Sequence, residues 1–122
     1  YNALVAAEEL AKEGIDCTVI NSHTVKPIDK ETIIGAASDT GAVVTVEEHQ
    51  IMGGMGSAVA EVLAKNYPVP MEFVGVSDRF GESGDPWHLV DEFGMGINSI
   101  KEAVKRVLTR TMVSLVHISI FL

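Results

Sequence analysis

The chain has 122 residues, 47% of them hydrophobic, a composition that suits one globular domain with a real core and leaves disorder out. Its 17 acidic residues against nine lysines and arginines give a net charge of −8 without a basic cluster, which argues against nucleic acid and anionic membrane as partners. A single cysteine, Cys17, cannot form an internal disulfide, and no apolar run reaches the roughly 20 residues that span a bilayer, so a soluble, cytoplasmic protein is expected.

The first segment, ALVAAEELAKEG, reads as a helix with Leu4, Ala7, Leu10 and Ala11 on one face and Gly14 in the left-handed position that ends it. Ile15 to Ile20 reads as a strand, and NSHTVKPID as a loop marked by Pro27. Asp29 is placed to cap the next helix, and Gly41 stands where that helix should stop. A strand over Val43 to Val46 leads through EEHQIMGGMG into a helix from about Gly56 to Asn66, whose apolar face carries Val59, Val62 and Leu63. Pro68 and Pro70 break it before a strand over Met71 to Val76. Asp78 to Asp85 is a charged loop, and a short helix near Trp87 to Phe93 is expected to end at Gly94. A last helix, capped by Asn98, shows Ile100, Ala103, Val104, Val107 and Leu108 at helical spacing. Strands alternating with helices imply a three-layer α/β/α domain with a mostly parallel sheet.

The stretch that carries most chemical information is VVTVEEHQIMGGMGSAV, residues 43–59. A strand end followed by glycines at a helix entry is a place where a phosphate could sit on backbone amides. The dinucleotide fingerprint is incomplete here: its third glycine falls on Val59, and six residues, Glu47 to Met52, separate the strand from Gly53. The alternative is that Gly53, Gly54 and Gly56 let a helix pack closely on the sheet. Glu47, Glu48 and His49 could form an acid–base cluster, or could serve a subunit interface or bond loop amides. In the later loop, Arg79 could hold an anion or pair with its acidic neighbours around Phe80. The four histidines, His23, His49, His88 and His117, are too scattered for a local metal motif.

Taken together, NSHTVKPID, VVTVEEHQIMGGMGSAV and VGVSDRFGESGDPWHLVDEFG resemble the C-terminal domain of transketolase, above all the small subunit of its two-subunit form. Pieces of the pattern are shared with deoxyxylulose-phosphate synthases and with the β subunits of 2-oxoacid dehydrogenases. The resemblance covers residues 1–108, and 109–122 forms an apolar tail outside it. It implies an enzyme that uses thiamine diphosphate and a divalent metal, Mg, to move a two-carbon ketol unit between sugar phosphates of the pentose phosphate pathway. It also implies that cofactor and metal are bound by other domains, so no residue of this chain is assigned to catalysis, cofactor or metal. Glu47, Glu48, His49, Gly53, Gly54, Gly56, Arg79 and Phe80 then become interface or loop candidates. The partners implied are the thiamine-binding domains or subunit of the same enzyme, in a homo-oligomer such as a dimer. A stand-alone nucleotide-binding or regulatory α/β module remains the alternative, as does a 2-oxoacid dehydrogenase fragment.

The resemblance further implies a strand before the first helix, inside the sheet, which this sequence does not carry. The chain is therefore expected to be a fragment of a longer enzyme. The β-rich run MVSLVHISIF, residues 112–121, is expected to add a strand in partial replacement.

Overall fold

A computed structural model describes residues 2–21, 29–48, 53–76, 86–111 and 117–122, and of residues 86–95 the backbone alone. The elements run α1 (Asn2–Lys12), β1 (Asp16–Ile20), α2 (Lys30–Thr40), β2 (Val43–Glu48), α3 (Gly54–Asn66), β3 (Met71–Val76), α4 (Pro86–Thr109) and β4 (His117–Phe121). The four strands form one sheet in the order β1-β4-β2-β3, and every pairing is parallel. The α/β class and the parallel sheet agree with the sequence reading.

Side chains alternate across the strands and sort into two cores, as the two-residue period of a strand requires. Val44, Val46, Val74, Val76, Ile118 and Ile120 face α1 and α4, while Val43 and Phe121 face α2 and α3. With helices on both faces, β2 is buried along nearly its whole length, and its VVTV run needs no polar alternation.

The helix ends follow local chemistry. Asp29 Oδ1 accepts the Thr32 N–H at 2.7 Å at the start of α2, and Gly41, at φ 87°, closes that helix by donating its N–H to Ala37 O at 2.7 Å. The Thr32 N–H holds the Asp29 carboxyl below its ordinary range. Gly14, at φ 84°, ends α1 in the same left-handed way.

Three expectations are corrected. The buried stripe of α1 is Asn2, Ala3, Ala6 and Leu10, whereas Leu4 is exposed. Because α1 packs on α4 as well as on the sheet, its small alanines turn inward and permit close approach. The second correction concerns α4, which is one continuous helix through Gly94, Gly96 and Asn98 rather than two helices. Glycine in a helix interior costs about 1 kcal/mol, but tertiary packing outweighs that local preference. Gly96 is buried, and a Cβ there would lie 2.8 Å from Asn2 Nδ2 and 3.7 Å from Val76 Cγ1. The missing side chain lets α4 lie against the start of α1 and the end of β3. At its other end α4 is tied to β3 by Arg106 and Arg110, which both pair with Glu72 (3.0 and 2.6 Å). The third correction is that β2 runs two residues beyond Val46, so Glu47 and Glu48 belong to the strand.

Of the expected strand over residues 112–121, residues 117–121 form β4, which lies inside the sheet, and 112–116 lie outside the described residues. The residues of β4 pair with β1 from Asp16↔His117 to Ile20↔Phe121, and with β2 from Val43↔Ser119 to Thr45↔Phe121. Ile118, Ile120 and Phe121 are fully buried.

Candidate functional site

The glycine turn is organised by the carboxylate that precedes it. In β2 the side chains of Val43, Thr45 and Glu47 fall on one face of the strand by the two-residue rule, the face toward α2 and α3. Glu47 lies at the carboxyl end of β2, only 8% exposed, and its two oxygens turn back onto the beginning of α3. The Gly53 N–H donates to Oε2 at 3.0 Å and the Met55 N–H donates to Oε1 at 2.8 Å. A carboxylate is stabilising at a helix N-terminus, where unpaired amides and the helix dipole carry partial positive charge. Gly53, the residue before α3, has no side chain to cap with and sits at φ 115°, so Glu47 supplies the cap from six residues upstream.

Gly56 provides the room. A Cβ there would stand 2.9 Å from Glu47 Oε2, 3.0 Å from Phe73 Cδ1 and 3.0 Å from Thr45 Oγ1. A Cβ on Gly54 would meet nothing within 4 Å. The three glycines therefore do different things: Gly53 takes the left-handed backbone, Gly56 admits the carboxylate, and Gly54 answers neither demand.

Of the residues singled out in the sequence, Glu47, Gly53 and Gly56 are brought together, with Gly54 alongside and Glu48 half-buried on the following position of β2. His49, Arg79 and Phe80 lie outside the described residues. The structure adds Thr45, whose buried Oγ1 has no hydrogen-bond partner among the described residues, and Phe73, 45% exposed on β3 beside Gly56. Strand alternation alone places Thr45 beside Glu47. The position of Phe73 depends on the β2–β3 register, which the sequence does not display.

The arrangement limits the chemistry available. The two amides that would cradle a phosphate already hold an internal carboxylate, so an incoming anion would have to displace Glu47. Both carboxylate oxygens are engaged with backbone, which is the geometry of a cap rather than of a base aimed at substrate. Cys17 is no better placed as a nucleophile. Burial first, and the Asp16 charge second, push its thiol up to about 11. That leaves on the order of a hundredfold less thiolate near pH 8 than an ordinary thiol. Iodoacetamide should therefore alkylate the native chain far more slowly than the urea-unfolded chain; equal rates would contradict the placement of Cys17. The unfolded thiol releases its proton first, so this group's contribution to stability is complete below about pH 9 and falls as the pH rises toward 11.

Comparison with known proteins fits this architecture. The sequence profile of the family "Transketolase, C-terminal domain" matches residues 1–100.

The chain belongs to the transketolase C-terminal domain family.

A transketolase subunit of Clostridium sp. (strain MSTE9), the 6-deoxy-6-sulfo-D-fructose transketolase subunit SqwH, is 50% identical over 108 residues, 88% of this chain and 34% of the relative. The 1-deoxy-D-xylulose-5-phosphate synthase of Trichormus variabilis (strain ATCC 29413 / PCC 7937) is 41% identical over 117 residues, 95% of this chain and 18% of the relative. Among solved structures, a split-gene transketolase in an inactive tetramer superposes with a TM-score of 0.71 at 48% identity, covering 88% of this chain and 35% of that one. The chain thus spans about a third or less of the length of these relatives.

The transketolase family implies thiamine diphosphate and a divalent metal. The described residues do not fit them. The helix-end amides are held by Glu47, the space at Gly56 is filled by Glu47, Thr45 and Phe73, and no three His, Cys, Asp or Glu among the described residues converge as metal ligands. No helix among the described residues is long and apolar enough to cross a membrane.

Proposed function

We propose that this chain is the assembly domain of a thiamine-diphosphate-dependent transketolase, acting in the cytoplasm and leaving ketol transfer between sugar phosphates to partner domains. The observation that carries the reading is the closure of the glycine turn by Glu47, which makes the phosphate-like cradle at the end of β2 a structural cap. The spread of relatives supports it. One relative is named for a sulfosugar and another for deoxyxylulose phosphate, yet this segment stays 50% and 41% identical to them. A segment shared across different substrates suits support of an assembly better than choice of substrate. The cofactor and Mg are bound by the partner domains, and the whole works as an oligomer in which this chain meets the thiamine-binding subunit.

The test mixes the purified chain with a separately produced thiamine-binding subunit of a split transketolase. Co-elution in gel filtration is expected. Transfer from a ketose phosphate to an aldose phosphate is expected from the mixture, with none from the chain alone. Failure to co-elute, together with heat evolved on titrating the chain with NAD or ATP, would favour a nucleotide-binding module instead.

A further inference from the structure

The strand β4 is keyed into its place by a hydroxyl in the middle of an apolar run. Ser119 is fully buried, opposite Thr18 of β1 on one side and Val43 of β2 on the other. Its N–H donates to Ala42 O at 3.1 Å. Its Oγ lies 2.9 Å from Thr40 Oγ1 and 3.1 Å from Ala36 O. Thr40 Oγ1, at the end of α2, also reaches Ala36 O at 2.9 Å and Ala42 O at 3.1 Å. One residue of β4 therefore reads the α2–β2 junction with both backbone and side chain.

The contact is selective because every neighbouring register fails. A one-residue slip would put Ile118 or Ile120 against these carbonyls and move Ser119 into the apolar core beneath α1 and α4. A two-residue slip would bring His117 or Phe121 to the same small site. In the observed register Phe121 fills the core beneath α2 and α3, and the Leu122 N–H donates to Ile20 O at 2.9 Å.

We propose that the slot between β1 and β2 is a sequence-selective strand-binding site. Its ligand is an extended, parallel peptide of the pattern apolar, small hydroxyl, apolar, aromatic, and the chain's own β4 is the resident copy. Its backbone and hydroxyl contacts come from β1, α2 and β2, and its apolar side chains are received by the cores beneath α1 and α4 and beneath α2 and α3, so the same segment binds when it arrives as a separate peptide. A short tether gives the resident strand an effective concentration on the order of millimolar. The free peptide therefore enters easily only when the resident strand is disabled, or when both compete during refolding.

Two measurements test this with the full-length chain and a fluorescein-labelled peptide of residues 112–122 carrying two added N-terminal lysines for solubility. In the first, Ser119→Asp in the chain drives a charge into the buried junction and ejects the resident strand. Anisotropy should show saturable binding of the peptide to this variant, at least about tenfold tighter than to the wild-type chain. A peptide with Ser119→Val should bind about tenfold or more weakly, since it loses the Ser119 Oγ contacts to Thr40 Oγ1 and Ala36 O and crowds a bulkier side chain against them. Because an unfolded variant would bind nothing, the second measurement refolds the wild-type chain from urea in excess labelled peptide and follows the label through gel filtration. Retention of the wild-type peptide, and not of the Ser119→Val peptide, is expected. Equal retention of the two peptides, or no binding in both measurements, would overturn the proposal.

Discussion

Removing residues 112–122 should leave a chain that, without the separate 112–122 peptide, no longer unfolds cooperatively and binds hydrophobic dyes or precipitates. Three fully buried side chains, Ile118, Ile120 and Phe121, leave with the strand. At about 2 kcal/mol each, their burial contributes roughly 6 kcal/mol, comparable with the whole stability of many domains. The loss would also separate β1 from β2, since β4 lies between them, and leave backbone donors and acceptors on both without partners. The check is a thermal or urea melt of the shortened chain beside the full one. Unchanged solubility and an unchanged Tm would mean that β4 contributes nothing to the sheet. The strand lies beyond residues 1–100, the part that matches the family profile, so family membership alone gives no reason to expect this loss.

The second large effect is expected at Gly56. Valine there would push into Glu47 Oε2, Phe73 and Thr45 at 2.9 to 3.0 Å. Glu47 can yield only by releasing the Gly53 and Met55 amides. Overpacking costs about 1–3 kcal/mol, and a hydrogen bond to a charged group about 1.5–3 kcal/mol. Gly56→Val should therefore destabilise by about 3 kcal/mol or more and lower Tm by roughly 10 °C. Gly54→Ala is the matched control, because its added Cβ meets nothing within 4 Å, and it should change stability by no more than about 0.5 kcal/mol. Similar melts for the two variants would mean that the glycines act through chain flexibility and not through the space beside Glu47.

The contrast between those glycines shows what the sequence does and does not disclose. The β-branched run Val43–Val46, the apolar run Met71–Val76 after two prolines, the Asp29 cap and the Gly41 stop are local signals, and each appears in the structure where its chemistry requires. The helical spacing of Ile100, Ala103, Val104 and Val107 likewise marks a face that is fully buried. The stop expected at Gly94 misleads because the continuation of α4 past it is a tertiary matter: two residues on, Gly96 clears space for Asn2, which lies far away in the chain. Leu4 misleads for a related reason, since α1 is turned by its contact with α4 and not by the sheet alone. At the site, the acids and the glycines are visible as neighbours in the sequence. That Glu47 serves the helix which follows it depends on how the strand end and the helix start meet in space. The β4 segment is recognisable as a strand by composition, while its berth between β1 and β2 follows from the pairing register and from the Ser119 contact.

The berth of β4 also governs how the chain can fold in time. The pair Asp16↔His117 joins residues whose numbers differ by 101. Closing a loop of that length costs on the order of 4 kcal/mol of chain entropy before any contact rewards it. The early transition state is therefore expected to draw on nearer pairings: α1 against β1, and the β2–α3–β3 unit, whose strands are joined by a single helix. The strands β1 and β2 become parts of one continuous sheet only when β4 docks between them. Because β4 docks after that transition state, substitutions in β4 should accelerate unfolding far more than they retard folding.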